Sequence, residues 1–195
     1  DGFTITAGLA NIGWNSPHRF GGGLYCDGGN SRSCNPSLSN IIFIGNLATY
    51  DGGAMHVNGR GGDGSPTLFN IAFINNYAGQ GVFGVDGAFG NTTPSLVNVT
   101  FANNIGAAIR SESYHGNAHV NITNSIMWGN SAQITGYFTA LHTVKNSIVQ
   151  GSGGSSNWTV PLTIDAGGNL DADPLFTDVA SGDRTLLSGS AAINT

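Results

Sequence analysis

Few residues in this chain have the types and spacing that chemistry needs. Arg110, Glu112, Tyr114 and His115 stand close enough to form a small polar cluster. A polysaccharide lyase needs a base for the proton α to a uronate carboxylate, and a cation to offset the charge that develops. Arg110 and Lys145 are the basic candidates, but they occupy different places in the repeat described below. Arg110 follows Gly106-Ala-Ala-Ile109, whereas Lys145 directly precedes Asn146. The expected reading of the cluster is therefore a solvated loop. A glycosidase of the inverting kind needs two carboxylates about 6.5–9.5 Å apart. The closely spaced acids are Asp171 and Asp173, with Asp178 and Asp183 nearby. Asp171, Asp173 and Asp178 are weak candidates for a calcium clasp, and turn capping is their ordinary role. The chain has no Gly-x-Ser-x-Gly elbow, no His-Glu-x-x-His and no phosphate loop. No catalytic residue is assigned, and no cofactor beyond that calcium.

Cys26 and Cys34 are the only cysteines. Eight residues apart in a Gly/Asn/Ser loop, they are expected to form a disulfide, which an oxidising compartment favours. His18 and His56 lack the spacing of zinc ligands. The net charge is −5, and the six basic residues are scattered singly. Without a basic stripe to neutralise phosphates, nucleic acid is excluded as a partner. No apolar run is long enough to span a membrane as a helix. Asp1 falls inside what reads as a strand, with no signal peptide before it, which implies a processed or excised segment.

The elements that must position these residues come from a repeat. Asn40-Ile-Ile-Phe43-Ile-Gly-Asn46 returns as Asn70-Ile-Ala-Phe73-Ile-Asn-Asn76 and as Asn98-Val-Thr-Phe101-Ala-Asn-Asn104. Asn124-Ser-Ile-Met127-Trp-Gly-Asn130 is a fourth copy and Asn146-Ser-Ile-Val149-Gln-Gly-Ser152 a fading fifth. The leading asparagines are 30, 28, 26 and 22 residues apart. Such a period marks stacked structural units, none of which can bury its apolar side alone. A second apolar strand follows Gly pairs at Gly21-Gly22-Gly23-Leu24-Tyr25 and Gly52-Gly53-Ala54-Met55-His56. Weaker versions are Gly79-Gln80-Gly81-Val82-Phe83 and Gly106-Ala107-Ala108-Ile109-Arg110. Pro36, Pro66 and Pro94 lead into three copies. Only 9% of residues are charged and 31 are glycine, which suits tightly turned β structure. Asn and Gly both tolerate left-handed backbone at turns.

These patterns predict an all-β fold, a right-handed parallel β-helix (solenoid) of roughly six or seven coils, as one domain over residues 1–195. Ile5, Phe43, Phe73, Phe101, Met127 and Val149 should form one interior ladder. Asn46, Asn76, Asn104 and Asn130 should stack at a corner, each amide bonding the next. Residues 10–20, 27–34, 59–64 and 84–93 read as loops on the outside, where solenoids usually bind. Tyr25 and Phe83 fall at core positions. Trp14 and Trp158 lie in loops and are the candidates for ligand or interface contact. Asn91, Asn98, Asn121 and Asn157 begin Asn-x-Thr triplets, a short pattern of low specificity for glycosylation.

The Phe-x-x-Asn elements (Phe43–Asn46, Phe73–Asn76, Phe101–Asn104) and the Gly-Gly-Leu/Ala elements at Gly22 and Gly52 resemble the repeats of polymorphic outer-membrane-type surface proteins. The tail Gly168-Asn169-Leu170-Asp171-Ala-Asp173-Pro-Leu-Phe176, followed by Leu186-Leu-Ser-Gly-Ser190-Ala-Ala-Ile193, is similar to the end of bacterial secreted β-helix proteins with pectate-lyase-like architecture. Ala191 stands where those have proline. The resemblance implies an exported, cell-surface location and places the tail in the last coils. It implies little about activity, because one fold hosts adhesins, structural proteins and polysaccharide-cleaving enzymes.

The expected function is a non-catalytic extracellular structural or adhesive module. The rivals are a polysaccharide lyase or glycoside hydrolase, and a carbohydrate-binding module. Phe3 and Ile5 are already core-like, so the N-terminal end should dock onto a second copy, head-to-tail, or onto an upstream β-helix segment.

Overall fold

The computed structural model describes residues 2–13 and 17–193. The chain winds into a parallel β-solenoid whose walls are ladders of short strands. The first wall stacks Thr4–Thr6, Ile42–Ile44, Ala72–Ile74, Thr100–Ala102, Ile126–Trp128 and Ile148–Val149. The second is built from Leu24–Asp27, Met55–Asn58, Tyr77–Asp86, Ile105–Glu112 and Ala132–Tyr137, with Leu9–Ala10 and Leu47–Ala48 at its leading edge. The third stacks Ser37–Ser39, Thr67–Phe69, Ser95–Val97, Asn121–Thr123, His142–Lys145 and Thr163–Asp165.

Register follows the sequence repeat. Ile5 lies beside Phe43, Phe43 beside Phe73, Phe73 beside Phe101, Phe101 beside Met127 and Met127 beside Val149. Phe43, Phe73 and Phe101 are fully buried and stacked, with ring centroids 5.0 and 4.7 Å apart. Successive strand residues face opposite sides, so Met55, Phe83 and Ile109 of the second wall and Leu68, Leu96 and Ile122 of the third close the same core.

The solenoid has about four turns rather than six or seven. The turns from Ile42 to Lys145 are built on all three sides. A long excursion opens the first turn. In the last, residues 150–162 form no second-wall strand, and a loop carrying Trp158 and Val160 packs against the core instead. The start of the tail adds a last parallel rung, Leu170 beside Ile148, but the rest is not a coil. Phe176–Asp178 and Asp183–Leu186 form an antiparallel hairpin. It folds back beside the first wall, where Asn75 donates to the Ala180 carbonyl (3.0 Å). Asp173-Pro174 helps explain this: proline has no N–H for a ladder.

Each corner uses residues that tolerate left-handed backbone. Asn40, Asn70, Asn98, Asn124 and Asn146 have φ between 48° and 56°, and the residue before each ladder asparagine is Gly45, Asn75, Asn103 or Gly129, all at positive φ. At the corner between the first and second walls the chain turns inside the protein, where unpaired backbone groups are costly. The Asn76 amide resolves this. Its Oδ1 accepts from the backbone N–H and the Nδ2 of Asn46, both at 3.0 Å. Its Nδ2 donates to the Phe43 carbonyl (2.9 Å) and to Asn104 Oδ1 (3.1 Å). Both donors and both lone pairs of the amide are used. Asn104 repeats the pattern with Asn130 and the Phe73 carbonyl, and Asn46 with Gly8 above it.

Asn76→Ala is expected to lower unfolding free energy by about 2–4 kcal/mol, since it orphans buried groups on two neighbouring turns. Asn130→Ala, at the half-buried end of the ladder, should cost less. Denaturant titration of the two variants measures the difference. Equal losses would show that the amides act independently of their place in the stack.

Candidate functional site

The outward face of the second wall carries a concentration of ionisable residues that the fold gathers from several turns. Two columns run along it. Tyr25, His56, Gly84, Arg110 and Thr135 are in register on adjacent strands, and so are Asp27, Asn58, Asp86, Glu112 and Tyr137. Their strand neighbours Met55, Phe83, Ile109 and Ile134 point into the core, which fixes these ten outward.

At the centre lies an ion cluster. Arg110 Nη1 donates to Asp51 Oδ2 (3.2 Å) and Nη2 to Glu112 Oε2 (2.8 Å). Asp51 is fully buried, and its Oδ1 accepts from the Gly81 N–H (3.0 Å). His56 Nδ1 stands 3.5 Å from Asp51 Oδ2, beyond a good hydrogen bond. Aromatic rings roof the cluster. Tyr25 lies parallel to the His56 ring at 5.6 Å, Phe20 approaches it to 4.7 Å, and Tyr137 sits 5.1 Å from the Arg110 guanidinium. Gly84 makes the packing feasible, because a Cβ there would come within 2.5 Å of His56 Nδ1 and 2.6 Å of Asp51 Oδ2.

The electrostatics are those of a closed cluster. Burial works against the Arg110 charge, but Asp51 and Glu112 outweigh it and hold the guanidinium above its usual range. Burial, with Asp27 beside it, raises the Tyr25 phenol. Around the cluster the second column is exposed to varying degrees. Asn58 Nδ2 donates to Asp27 Oδ1 (2.8 Å), and Arg60 pairs with Asp86 (3.4 Å). A cleft of about 550 Å³ opens beside Tyr25, Asp27 and Asn58 and is lined also by His18 and Phe20.

Residues singled out in the sequence fall in several places. Trp14 lies outside the described residues. Trp158 is not an exposed platform. It is partly buried against the core, with Nε1 donating to Thr163 Oγ1 (2.8 Å). Tyr25 faces outward rather than into the core, whereas Phe83 is fully buried. Arg110 and Glu112 pair, but Tyr114 and His115 sit at the next corner, with ring centroids 4.2 Å apart. Asp171, Asp173 and Asp178 do not converge, and no acidic or metal-ligating cluster occurs among the described residues. Asp171 accepts from the Gly151 and Gly153 amides, Asp173 from Leu175 and Asp178 from Ser181, all turn caps. Cys26 and Cys34 are disulfide-bonded. Asp51, the buried partner of Arg110, and His56 beside it are not evident as a cluster in the sequence. The signal for His56 lies in the repeat, where it occupies the Tyr25 position.

These walls, corners and ladders define a parallel β-solenoid repeat protein. No family, curated protein or solved structure matches the chain.

A second buried ionisable group lies inside the solenoid. His142 Nδ1 accepts from the Val120 N–H (3.1 Å), so Nε2 carries the proton it shares with Ser111 Oγ (2.8 Å). Burial, and then the nearby His119, lower its pKa to about 4. The fold therefore favours the neutral ring. Its contribution is complete above the unfolded value near 6.5 and is lost as pH falls toward 4. The full loss is on the order of 3 kcal/mol. Denaturation midpoints should fall through that window. In His142→Asn, whose carbonyl oxygen can still accept from Val120, that part of the slope should vanish. An unchanged slope would move the effect to other groups.

Proposed function

We propose that the chain is a non-catalytic structural and adhesive module of an extracellular β-solenoid surface protein. The observation that carries this is the closed state of the Arg110 cluster. A lyase or hydrolase needs a base or an acid pair within reach of substrate. Asp51 and Arg110 have no such reach, because they neutralise each other beneath a roof of aromatic rings. What the wall offers to solvent is Tyr25, Asn58 and carboxylates already engaged by arginines, a surface suited to holding a ligand. The Cys26–Cys34 disulfide supports an oxidising compartment. Kinship with polymorphic outer-membrane-type repeat proteins, on the motifs at Phe43, Phe73 and Phe101, and with secreted pectate-lyase-like proteins, on the motifs of the tail, belongs to the same proposal.

Purified protein incubated with polygalacturonate or with a neutral β-glucan should release neither unsaturated products nor new reducing ends above the blank. Release that disappears in Arg110→Ala or Glu112→Gln would replace the adhesive reading with an enzymatic one.

The ends of the solenoid favour a second element of the proposal. Trp158 and Val160 pack against the core in the last turn. At the other end, the outer edges of Thr4–Thr6, Leu9–Ala10, Leu24–Asp27 and Ser37–Ser39 carry no partner strand among the described residues. Phe3 and Leu9 are exposed there. Unpaired edges template further strands, so we place a partner rung at this end, from a second copy or from further coils of the same polypeptide. Sedimentation velocity should show association that rises with concentration. A single monomeric species at every concentration would remove the second copy from this reading.

A further inference from the structure

The corner that follows the second wall holds a feature the fold does not require. Four successive turns pass through it as Asp27-Gly28-Gly29-Asn30, Asn58-Gly59-Arg60-Gly61, Asp86-Gly87-Ala88-Phe89 and Glu112-Ser113-Tyr114-His115. Their register is set by the backbone. The N–H of Asn30 bonds the Arg60 carbonyl, Gly61 that of Ala88, and Phe89 that of Tyr114, each at 2.9 Å. The fourth residue is left-handed every time, with φ of 56°, 67°, 55° and 51°. The first two turns fill this position with asparagine and glycine, which tolerate it. The next two fill it with phenylalanine, for which it is strained, and histidine, which visits it more readily.

The rings so placed are not hidden. Phe89 is 57% exposed and Phe138, on the following turn, 60%. They meet one another, the His115 ring and, at 5.9 Å from Phe89, the Arg60 guanidinium. Phe89 meets Tyr114 at 5.3 Å and Tyr114 meets Phe138 at 5.1 Å, both edge to face. The result is a ridge of three aromatic stations on three consecutive turns, parallel to the solenoid axis. Since Asn30 and Gly61 make the same corner without a ring, the backbone gives no reason for Phe89. Strain at an exposed position points to a role outside folding.

We infer that this ridge binds a neutral polysaccharide lying along the axis. The flanks select the ligand. On one side stand Asp86 and Glu112, in register and each engaged by an arginine. On the other, Asn117 Nδ2 donates to Asn91 Oδ1 (3.0 Å) on an exposed amide ladder. A sugar ring has an apolar face for the aromatics and hydroxyls for the amides and carboxylates. A uronate chain or a nucleic acid would meet the net charge of −5 and find the nearby arginines already engaged by the two acids. A wholly apolar partner would have to desolvate those acids.

The inference rests on the adhesive reading above and names its ligand. The test is calorimetric titration with a neutral β-linked gluco-hexasaccharide, and with oligogalacturonate as the anionic control. The wild-type chain should bind the neutral probe and not the anionic one. Phe89→Gly should bind at least tenfold more weakly while its denaturation midpoint holds or rises, because glycine suits the left-handed backbone. Phe69→Ala, an exposed ring on the third wall away from the ridge, should bind as the wild type does. The inference is overturned if the neutral probe does not bind, if oligogalacturonate binds equally, or if Phe89→Gly binds unchanged. Loss of binding in Tyr25→Ala, in the cleft, but not in Phe89→Gly would move the ligand to the cleft and sink the ridge, while leaving the adhesive reading intact.

Discussion

Everything in this molecule depends on a backbone that turns sharply inside the protein without leaving polar groups unpaired. A parallel solenoid pairs its strands easily, turn upon turn, but its corners interrupt that pairing. The buried amides of Asn46, Asn76 and Asn104 restore it. Each does so with its neighbour's help: the oxygen of one amide serves the nitrogen of the turn before it, and its own nitrogen reaches back to the carbonyl of Ile5, Phe43 or Phe73. The bonds are therefore properties of the stack, and a lone turn could form none of them. That is the polar counterpart of the ring ladder at Phe43, Phe73 and Phe101, which also has no meaning for one turn.

This coupling explains which parts of the structure were legible in the sequence. A ladder demands the same residue type at the same place on each turn, so Phe43/Phe73/Phe101 and Asn46/Asn76/Asn104/Asn130 stand out as a period. The corner asparagines from Asn40 to Asn146 are legible for the same reason. The second wall is harder to read, because its insertions differ in length from turn to turn. Aligning Phe83 with Tyr25 through the Gly pairs puts that strand one residue out of frame. The register pairs Phe83 with Ile109 and Gly84 with Arg110. A shift of one residue exchanges inside for outside, which is why Tyr25 reads as core and faces solvent. Asp51 carries no repeat signal, since it meets Arg110 across 59 residues of chain. The tail departs for a different reason. Its Asp-Pro-Leu-Phe motif resembles a final coil, yet Phe176 pairs antiparallel with Leu186.

The same logic separates structural from functional polar residues on the outer face. A buried charge persists only with a partner, and Arg110 has two. Removing either carboxylate leaves part of its charge uncompensated in a dry site, so the cluster is held by its own geometry and Gly84 is held with it. Nothing comparable holds Phe89. Its ring satisfies no buried group and fills no cavity, and it occupies backbone that Gly61 adopts with less strain one turn earlier. In a solenoid each turn supplies its own control, because the equivalent residue on a neighbouring turn shows what the fold alone requires. By that comparison the ion cluster belongs to the wall, and the ring of Phe89 is something the wall does not require.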